Sequence, residues 1–232
     1  MSNGNLRISV ISLVIISAFT LVACKGRYEI YGQVESFGFD GKILTVNDFS
    51  SGEPVAIDSC TVSHGHFSMK GRTKGAKFVM LCRDGIPVLP MYLEKGKSDI
   101  MLDPTGMKAA GTRQNDLLYG FLERKRAIDN RYEDTWQKRM QLVRSGNMDQ
   151  AQMEVIQDSL KAIVSECEEL IYSFISANYR EKAAAGVFAM LIQGPSNDIP
   201  PFVKRILDDA PSKFLENRSV AEYIERTGYT RP

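Results

Sequence analysis

His64 and His66 flank Gly65 and are the only histidines in a chain of 232 residues. Two imidazoles one residue apart can begin a metal site, but a tetrahedral site needs further ligands, and the sequence does not say where they would come from. The spacing predicts a hairpin turn with solvent-facing histidines and no metal. Asp58-Ser59-Cys60 has the residue types of a nucleophile with supporting groups. A nucleophile needs a positioned base, however, and strand alternation turns Ser59 away from both neighbours. The triplet therefore reads as sheet-edge hydrogen bonding. Glu168-Glu169 and Asp208-Asp209 could suggest paired carboxylates, yet consecutive helical residues point about 100° apart and do not share a site. A di-iron bundle would want Glu-x-x-His on its helices, and the predicted helices contain no histidine. Phosphate-binding glycine loops and a Gly-x-Ser-x-Gly elbow are absent from the sequence. No cofactor and no catalytic residue is expected.

Cys60, Cys82 and Cys167 are far apart and form no Cys-x-x-Cys pair, which excludes a zinc ribbon and a thioredoxin-type dithiol. Cys60 and Cys82 fall in one predicted sheet region, where an oxidising compartment would permit a bridge. The odd set suits free, buried thiols acting as small hydrophobes better.

Two kinds of element must position these residues. From Tyr28 to Asp103 apolar residues alternate with a period near two, in runs such as Tyr28/Ile30, Ile43 to Val46, Val55/Ile57, Phe67/Met69, Phe78 to Cys82, Val88 to Leu93 and Ile100 to Leu102. Asp-Gly, His-Gly and Lys-Gly turns separate the runs, so the region reads as an antiparallel sandwich or open barrel. Pro87 and Pro90 place their strand at an edge or a bulge. At Gly111-Thr112 the pattern changes. Leu117, Leu118, Phe121, Ile128, Tyr132, Trp136, Met140 and Val143 recur at helical spacing, with Thr112 or Asn115 as cap, until Gly146. Asp149 opens a second helix striped by Met153, Ile156, Leu160, Ile163, Val164, Cys167, Leu170, Ile171 and Phe174. Each is roughly 28–30 residues, or over 40 Å at 1.5 Å per residue, and together they form an antiparallel hairpin. Tyr119, Tyr132 and Trp136 are placed at the junction of sandwich and hairpin as packing residues. Ala183-Ala184-Ala185-Gly186 offers a surface that another helix can approach closely, and Gly194-Pro195 ends that element. Further helices are expected from Pro200 to Asp208 and, capped by Ser212 or Ser219, through Arg226. The fold class is α+β.

The first residues are of another kind. Arg7 precedes an apolar run from Ile8 to Val22, diluted only by Ser9, Ser12, Ser17 and Thr20, that ends in Leu21-Val22-Ala23-Cys24. A cationic start, a short apolar core and a small residue make a secretory signal, and the run falls short of the ~20 residues that span a membrane. It resembles a bacterial lipoprotein signal. The resemblance implies cleavage after Ala23 and diacylglycerol on the Cys24 thiol, an attachment that several acyl chains make effectively permanent. Lys25 stands where, in lipoproteins of Gram-negative bacteria, an aspartate would mark inner-membrane retention, and no acidic run follows. The expected place is the periplasmic leaflet of the outer membrane.

The expected organisation is a signal peptide over 1–23, a lipidated tether over 24–27, a β-domain over 28–110 and a helical domain over 111–232. Removal of the signal takes away Arg7 alone among the charged residues, leaving 28 basic against 28 acidic side chains in 209 residues. A formally neutral chain lacks the basic excess of nucleic-acid binders, and no nucleic-acid partner is expected.

The run Gly32 through Gly41-Lys42, then Ile57-Asp58-Ser59, Gly65-His66-Phe67-Ser68-Met69-Lys70-Gly71, Tyr92-Leu93-Glu94-Lys95-Gly96, Gly111-Thr112 and Asn115-Asp116, resembles a domain of unknown function in bacterial lipoproteins. That domain commonly precedes a helical connector and a thioredoxin-like domain in thiol-disulfide interchange lipoproteins. The resemblance spans about Tyr28 to Leu122 and implies a β-sandwich. The chain ends at Pro232, near where a thioredoxin-like domain would begin, and has no Cys-x-x-Cys, so redox activity is not carried over. The expected function is a non-enzymatic, lipid-anchored module that binds a protein or peptide in the envelope. The alternative is an auxiliary part in thiol-disulfide exchange beside a separate thioredoxin-like protein; a third option is a hydrolase with acids in the crevice between sandwich and hairpin.

Overall fold

The computed structural model describes residues 26–35, 38–50, 52–104, 106–146, 149–192 and 198–231. The signal, Cys24, Lys25 and the Gly194-Pro195 stop lie outside the described residues. The architecture is α+β, as expected. Among the described residues eight strands form two four-stranded sheets, ordered β4-β1-β7-β8 and β3-β2-β5-β6. The strands are β1 (Gly26–Val34), β2 (Ile43–Asp48), β3 (Val55–Thr61), β4 (His66–Thr73), β5 (Lys77–Arg83), β6 (Ile86–Leu93), β7 (Gly96–Asp103) and β8 (Gly106–Ala110). Tyr28, Ile30, Val34, Phe67, Met69, Ile100 and Leu102 from one sheet meet Leu44, Val46, Val79, Leu81, Leu89 and Met91 from the other in one buried core. Of the two expected forms the sandwich is therefore the one observed.

One pairing departs from the antiparallel expectation, since β1 and β7 run parallel. The turn after β6 does not fold back within its own sheet. Glu94-Lys95 crosses to the other sheet, and β7 starts level with Tyr28, at the end where β1 also starts. We call this end the base. A hairpin of the predicted kind joins β5 to β6 at Asp84-Gly85, where φ is 50° and 82°, the double positive φ of a tight hairpin turn.

The two prolines act as the sequence suggests. β6 is an edge strand, and its register against β5 shifts at Leu81/Cys82, opposite Pro87. An uncovered edge would leave backbone groups unpaired, and a helix supplies the partners. Helix α1 (Arg113–Ser145) packs along β8 and β6. Its Asn115 carboxamide accepts the Tyr92 N–H at 2.7 Å and donates to the Tyr92 carbonyl at 2.9 Å, as a neighbouring strand would. One turn on, the Tyr119 hydroxyl donates to the Pro90 carbonyl at 2.7 Å.

Helix α2 (Gln150–Ala177) returns antiparallel to α1 as the expected hairpin. It is followed by α3 (Lys182–Leu191), α4 (Pro201–Asp209), α5 (Ser212–Leu215) and α6 (Arg218–Thr227). Phe188 on α3 makes edge contacts with Phe214 and Tyr223, which closes the short helices on one another. Three local expectations are corrected. Thr112 is the N-cap of α1 but makes no capping bond, because its hydroxyl accepts from Asn115 Nδ2 at 2.9 Å. Pro211 and Asn217, not Ser212 and Ser219, cap the last helices; Asn217 Oδ1 takes the Ser219 N–H at 3.2 Å. The small-residue surface is corrected only in part: Ala183 and Ala184 are fully buried where α3 packs on α1 and α2, but at Gly186 the close approach is made by a strand side chain, the Tyr92 hydroxyl, which donates to the Lys182 carbonyl at 2.8 Å.

Candidate functional site

The residues singled out for chemistry are dispersed. His64 sits in the left-handed region with φ 51° at the turn before β4, its Nδ1 3.0 Å from Ser63 Oγ, and both histidines are exposed. Among the described residues no group of three or more His, Cys, Asp or Glu could hold a metal ion. Asp58 and Cys60 register with Val46 and Leu44, and so face the core, while Ser59 is exposed. The Asp58 carboxylate accepts the Tyr28 hydroxyl at 2.7 Å and the Ser59 N–H at 2.8 Å. Its work is to tie β3 to the opposite sheet. Burial, with Asp58 next, pushes the Tyr28 phenol up. The helical acids are engaged in packing: Glu169 pairs with Arg205 at 2.8 Å, Asp209 takes the Tyr172 hydroxyl at 2.7 Å, and Asp208 binds Tyr229 and Lys204.

Of the three aromatics assigned to the junction, only Tyr119 lies there. Tyr132, 38% exposed, and Trp136 stand farther along α1; thirteen residues of helix carry Tyr132 roughly 20 Å beyond Tyr119. The apolar stripe continues past the point where the sandwich stops, and periodicity alone does not show that boundary.

Cys60, Cys82 and Cys167 are free thiols. Strand β2 separates the first two, which register with Leu44 and Thr45 on opposite faces. Two strand spacings are about 10 Å, whereas a disulfide needs Cα atoms within about 7 Å. Burial pushes all three thiols up, with Asp58 adding to the effect at Cys60. The nucleophile in exchange is the thiolate, so these groups are poor at it, which weighs against a part in thiol-disulfide exchange. We expect native alkylation at neutral pH to leave Cys82, which is fully buried, unmodified until denaturant is added, by intact mass. Rapid labelling of Cys82 in the folded protein would contradict this.

Two of the concavities that border the sandwich bear on these expectations. One, about 860 Å³, spans the outer face of the first sheet and includes Tyr31, Gln33, His66, Ser68, Asp99 and Lys108. The other, about 330 Å³, is the crevice between β6, β8 and α1. It contains Asp103 and Glu123, but Met101 and Met107 beside them are half exposed. Asp103 Oδ1 accepts the Gly106 N–H at 2.9 Å, a turn-holding contact. The crevice is open to water, which is unsuited to the desolvated acid of a hydrolase.

The best constructed polar cluster is at the base. Glu94 accepts the Gln114 N–H at 2.7 Å and so caps α1 from the end of β6. Gln114 in turn accepts the Ala183 N–H at 2.8 Å, capping α3, and donates to Glu181 at 2.7 Å. The Arg113 guanidinium, then the Gln114 amide, hold the Glu181 carboxyl below its usual range. No buried side-chain nitrogen or oxygen among the described residues lacks a partner. This is a clamp that sets where α1 begins and which way it points. The sequence offered one cue for it: asparagine, a poor helix former, sits in the first turn of a long helix.

What the clamp aims is an arm. No residue of α1 after Ile128 is buried, and none of α2 before Ile171. Residues 129–145 and 150–166 therefore project from the body, over roughly 25 Å at 1.5 Å per residue, while Cys167, Glu169 and Leu170 already meet it. The α2 seam of Met153, Ile156, Leu160, Ile163, Cys167 and Leu170, spaced alternately by three and four as in a coiled coil, is only half buried. Arg131 on α1 pairs with Glu166 on α2 across the arm. Two shallow grooves of about 660 and 630 Å³ run between the helices, one near the tip with Leu142 and Val155, the other near the body with Ile128 and Leu170. Among the described residues no helix is long and apolar enough to cross a membrane.

Comparison with known families places residues 28–118 in the family described as a domain of unknown function, DUF4369. The matched span covers the sandwich and the clamp residue Asn115 and ends before the arm. No curated protein and no solved structure matches the chain.

Proposed function

We propose that this chain, a DUF4369 sandwich extended by a helical arm, is a lipid-anchored protein of the bacterial cell envelope that binds a protein or peptide partner through the arm and carries out no reaction of its own. The observation that carries the reading is the arm itself, two long helices whose apolar seam is half open from Met153 to Ile163 and meets the body only at its Cys167 and Leu170 end. A two-helix unit buries little apolar area alone, and an added surface would complete it. The anchor reading rests on the signal ending in Cys24 and places the protein on the periplasmic leaflet of the outer membrane.

Topology supports the pairing of anchor and arm. β1 begins at Gly26, two residues after Cys24, so the tether is at most about 7 Å long. The base is thus the membrane side. α1 starts at the base and runs the other way, passing Gly106 at the far end of the sandwich, where Arg126 lies against it. Its 33 residues span about 50 Å, which lifts the arm off the bilayer into the periplasm. A photo-crosslinking residue at Tyr132 or Val155 in the full chain should yield discrete adducts with envelope proteins, whereas one at the exposed sandwich residue Ile57 should not. Equal adducts from Ile57, or none from the arm, would refute the reading.

A further inference from the structure

We infer that the base of the sandwich is a docking surface for the headgroups of anionic phospholipid, with Arg27, Arg72, Lys74 and Lys95 as its contacts. The inference rests on the lipid anchor proposed above. Arg27 and Arg72 are direct cross-strand partners on β1 and β4, and both are exposed. Like charges in that position repel. Lys95 adds a third cation, since its side-chain stem packs on Gly26, with its Cβ 2.7 Å from where a Gly26 Cβ would be. Lys74 follows one residue after Thr73, the partner of Gly26.

Asp116 at this end accepts the Gly111 N–H at 2.8 Å, and four further acids are engaged as well. Glu29 pairs with Lys70 at 3.5 Å, though Arg27 is also within its electrostatic reach; Asp48 pairs with Lys77 at 3.2 Å and Glu181 with Arg113 at 2.6 Å. Glu94 caps α1. Arg72, Lys74 and Lys95 form no salt bridge among the described residues. A row of positive charge, in which Arg72, Lys74 and Lys95 have no salt-bridge partner among the described residues, thus surrounds the point where the chain leaves for Cys24. Within a tether of about 7 Å it lies inside the ~8 Å range of screened electrostatics from the headgroups.

The far end carries the opposite sign. Residues 129–170 hold nine Asp and Glu against five Lys and Arg. An anionic surface therefore attracts the base and repels the arm, and the molecule stands upright. Acyl chains alone would hold the protein at the membrane without setting its tilt.

Trp136 is the single tryptophan and reports tilt directly. The full lipidated chain, with Cys24 modification verified by intact mass, is bound to vesicles of phosphatidylcholine with or without phosphatidylglycerol, and energy transfer from Trp136 to a dansyl headgroup is read. Transfer should be lowest on the anionic vesicles and rise with salt. Each basic residue near such a surface contributes roughly a fivefold bias, so Arg72→Gln with Lys74→Gln should lower the docked-to-tilted ratio about 25-fold. On phosphatidylcholine alone the two proteins should agree. Both substitutions are at exposed positions, and removing Arg72 relieves repulsion, so thermal stability should be unchanged or higher. Equal transfer from both proteins on anionic vesicles overturns the docking surface and leaves the anchor standing. An unmodified Cys24 overturns both.

Discussion

Asn115→Asp is expected to destabilise the fold by about 3–5 kcal/mol at pH 7, the range for leaving a buried charge without its partner. Asn115 is fully buried, and its Nδ2 donates to the Tyr92 carbonyl and to Thr112 Oγ1, both at 2.9 Å. Aspartate keeps the oxygen that accepts the Tyr92 N–H, but puts a second acceptor against that carbonyl. The new carboxyl is relieved by taking a proton, which restores a donor. Its folded pKa is therefore raised above the unfolded value of ~3.9. A raised acid binds its proton more tightly in the folded state, so the variant's deficit is smallest below the unfolded value and grows as pH rises toward the folded one. Urea unfolding at pH 4 and pH 7, each relative to the unsubstituted protein, should show the smaller penalty at pH 4. Asn115→Leu, with no titrating group, should lose about 2–4 kcal/mol from two unpaired backbone groups, with no such dependence relative to the parent. A penalty for Asn115→Asp that is equal at both pH values would contradict the account.

The reason to place so much weight on one amide is mechanical. β6 offers its outer backbone edge to α1 only at Pro90 and Tyr92 among the contacts described above, and Asn115 and Tyr119 meet them one helical turn apart. With Glu94 and Gln114 capping across elements, the direction of a 33-residue helix is set by its first two turns. If the arm is the binding element, weakening Asn115 should reduce partner capture even in variants that remain folded, because the seam is then presented in many orientations.

The elements were legible in the sequence wherever one face of each is buried. The alternation around Tyr28 and Ile30 and the seam from Met153 to Leu170 fall where expected, because period two and period near 3.6 report one-sided burial directly. Pro87 and Pro90 marked the edge because a missing N–H is tolerated only there. What could not be read was pairing between distant segments. The parallel β1–β7 pair follows from a crossover at Glu94-Lys95 that a local turn signal does not distinguish from a hairpin. The clamp links residues 94, 114 and 181, which no periodicity relates. Tyr132 and Trp136 continue the Tyr119 stripe without a break, so the end of the body along α1 was invisible. The dispersed placement of His64, Asp58 and Glu169, in contrast, follows from the same spacing rules that denied them a common site.

Gly186→Ala is expected to be rescued by a second substitution. A Cβ at Gly186 would overlap the Tyr92 hydroxyl oxygen, while the ring carbon that bears it lies at 3.2 Å. Tyr92 is 2% exposed and packs edge-on against Phe78 at 5.4 Å, so the ring has nowhere to retreat without moving α3. Overpacking of this kind costs about 1–3 kcal/mol. Tyr92→Phe alone loses the bond to the Lys182 carbonyl, about 1 kcal/mol. Together the two changes replace the overlap by a tight contact of the new Cβ with the ring carbon at 3.2 Å, and alanine restores about 1 kcal/mol of helix preference that glycine lacks. The double variant should therefore unfold at a higher temperature than Gly186→Ala, with a coupling of roughly 1–3 kcal/mol of the sign opposite to two independent losses. Additive losses would mean that α3 shifts freely over β6, and the clamp would then be too soft to aim the arm.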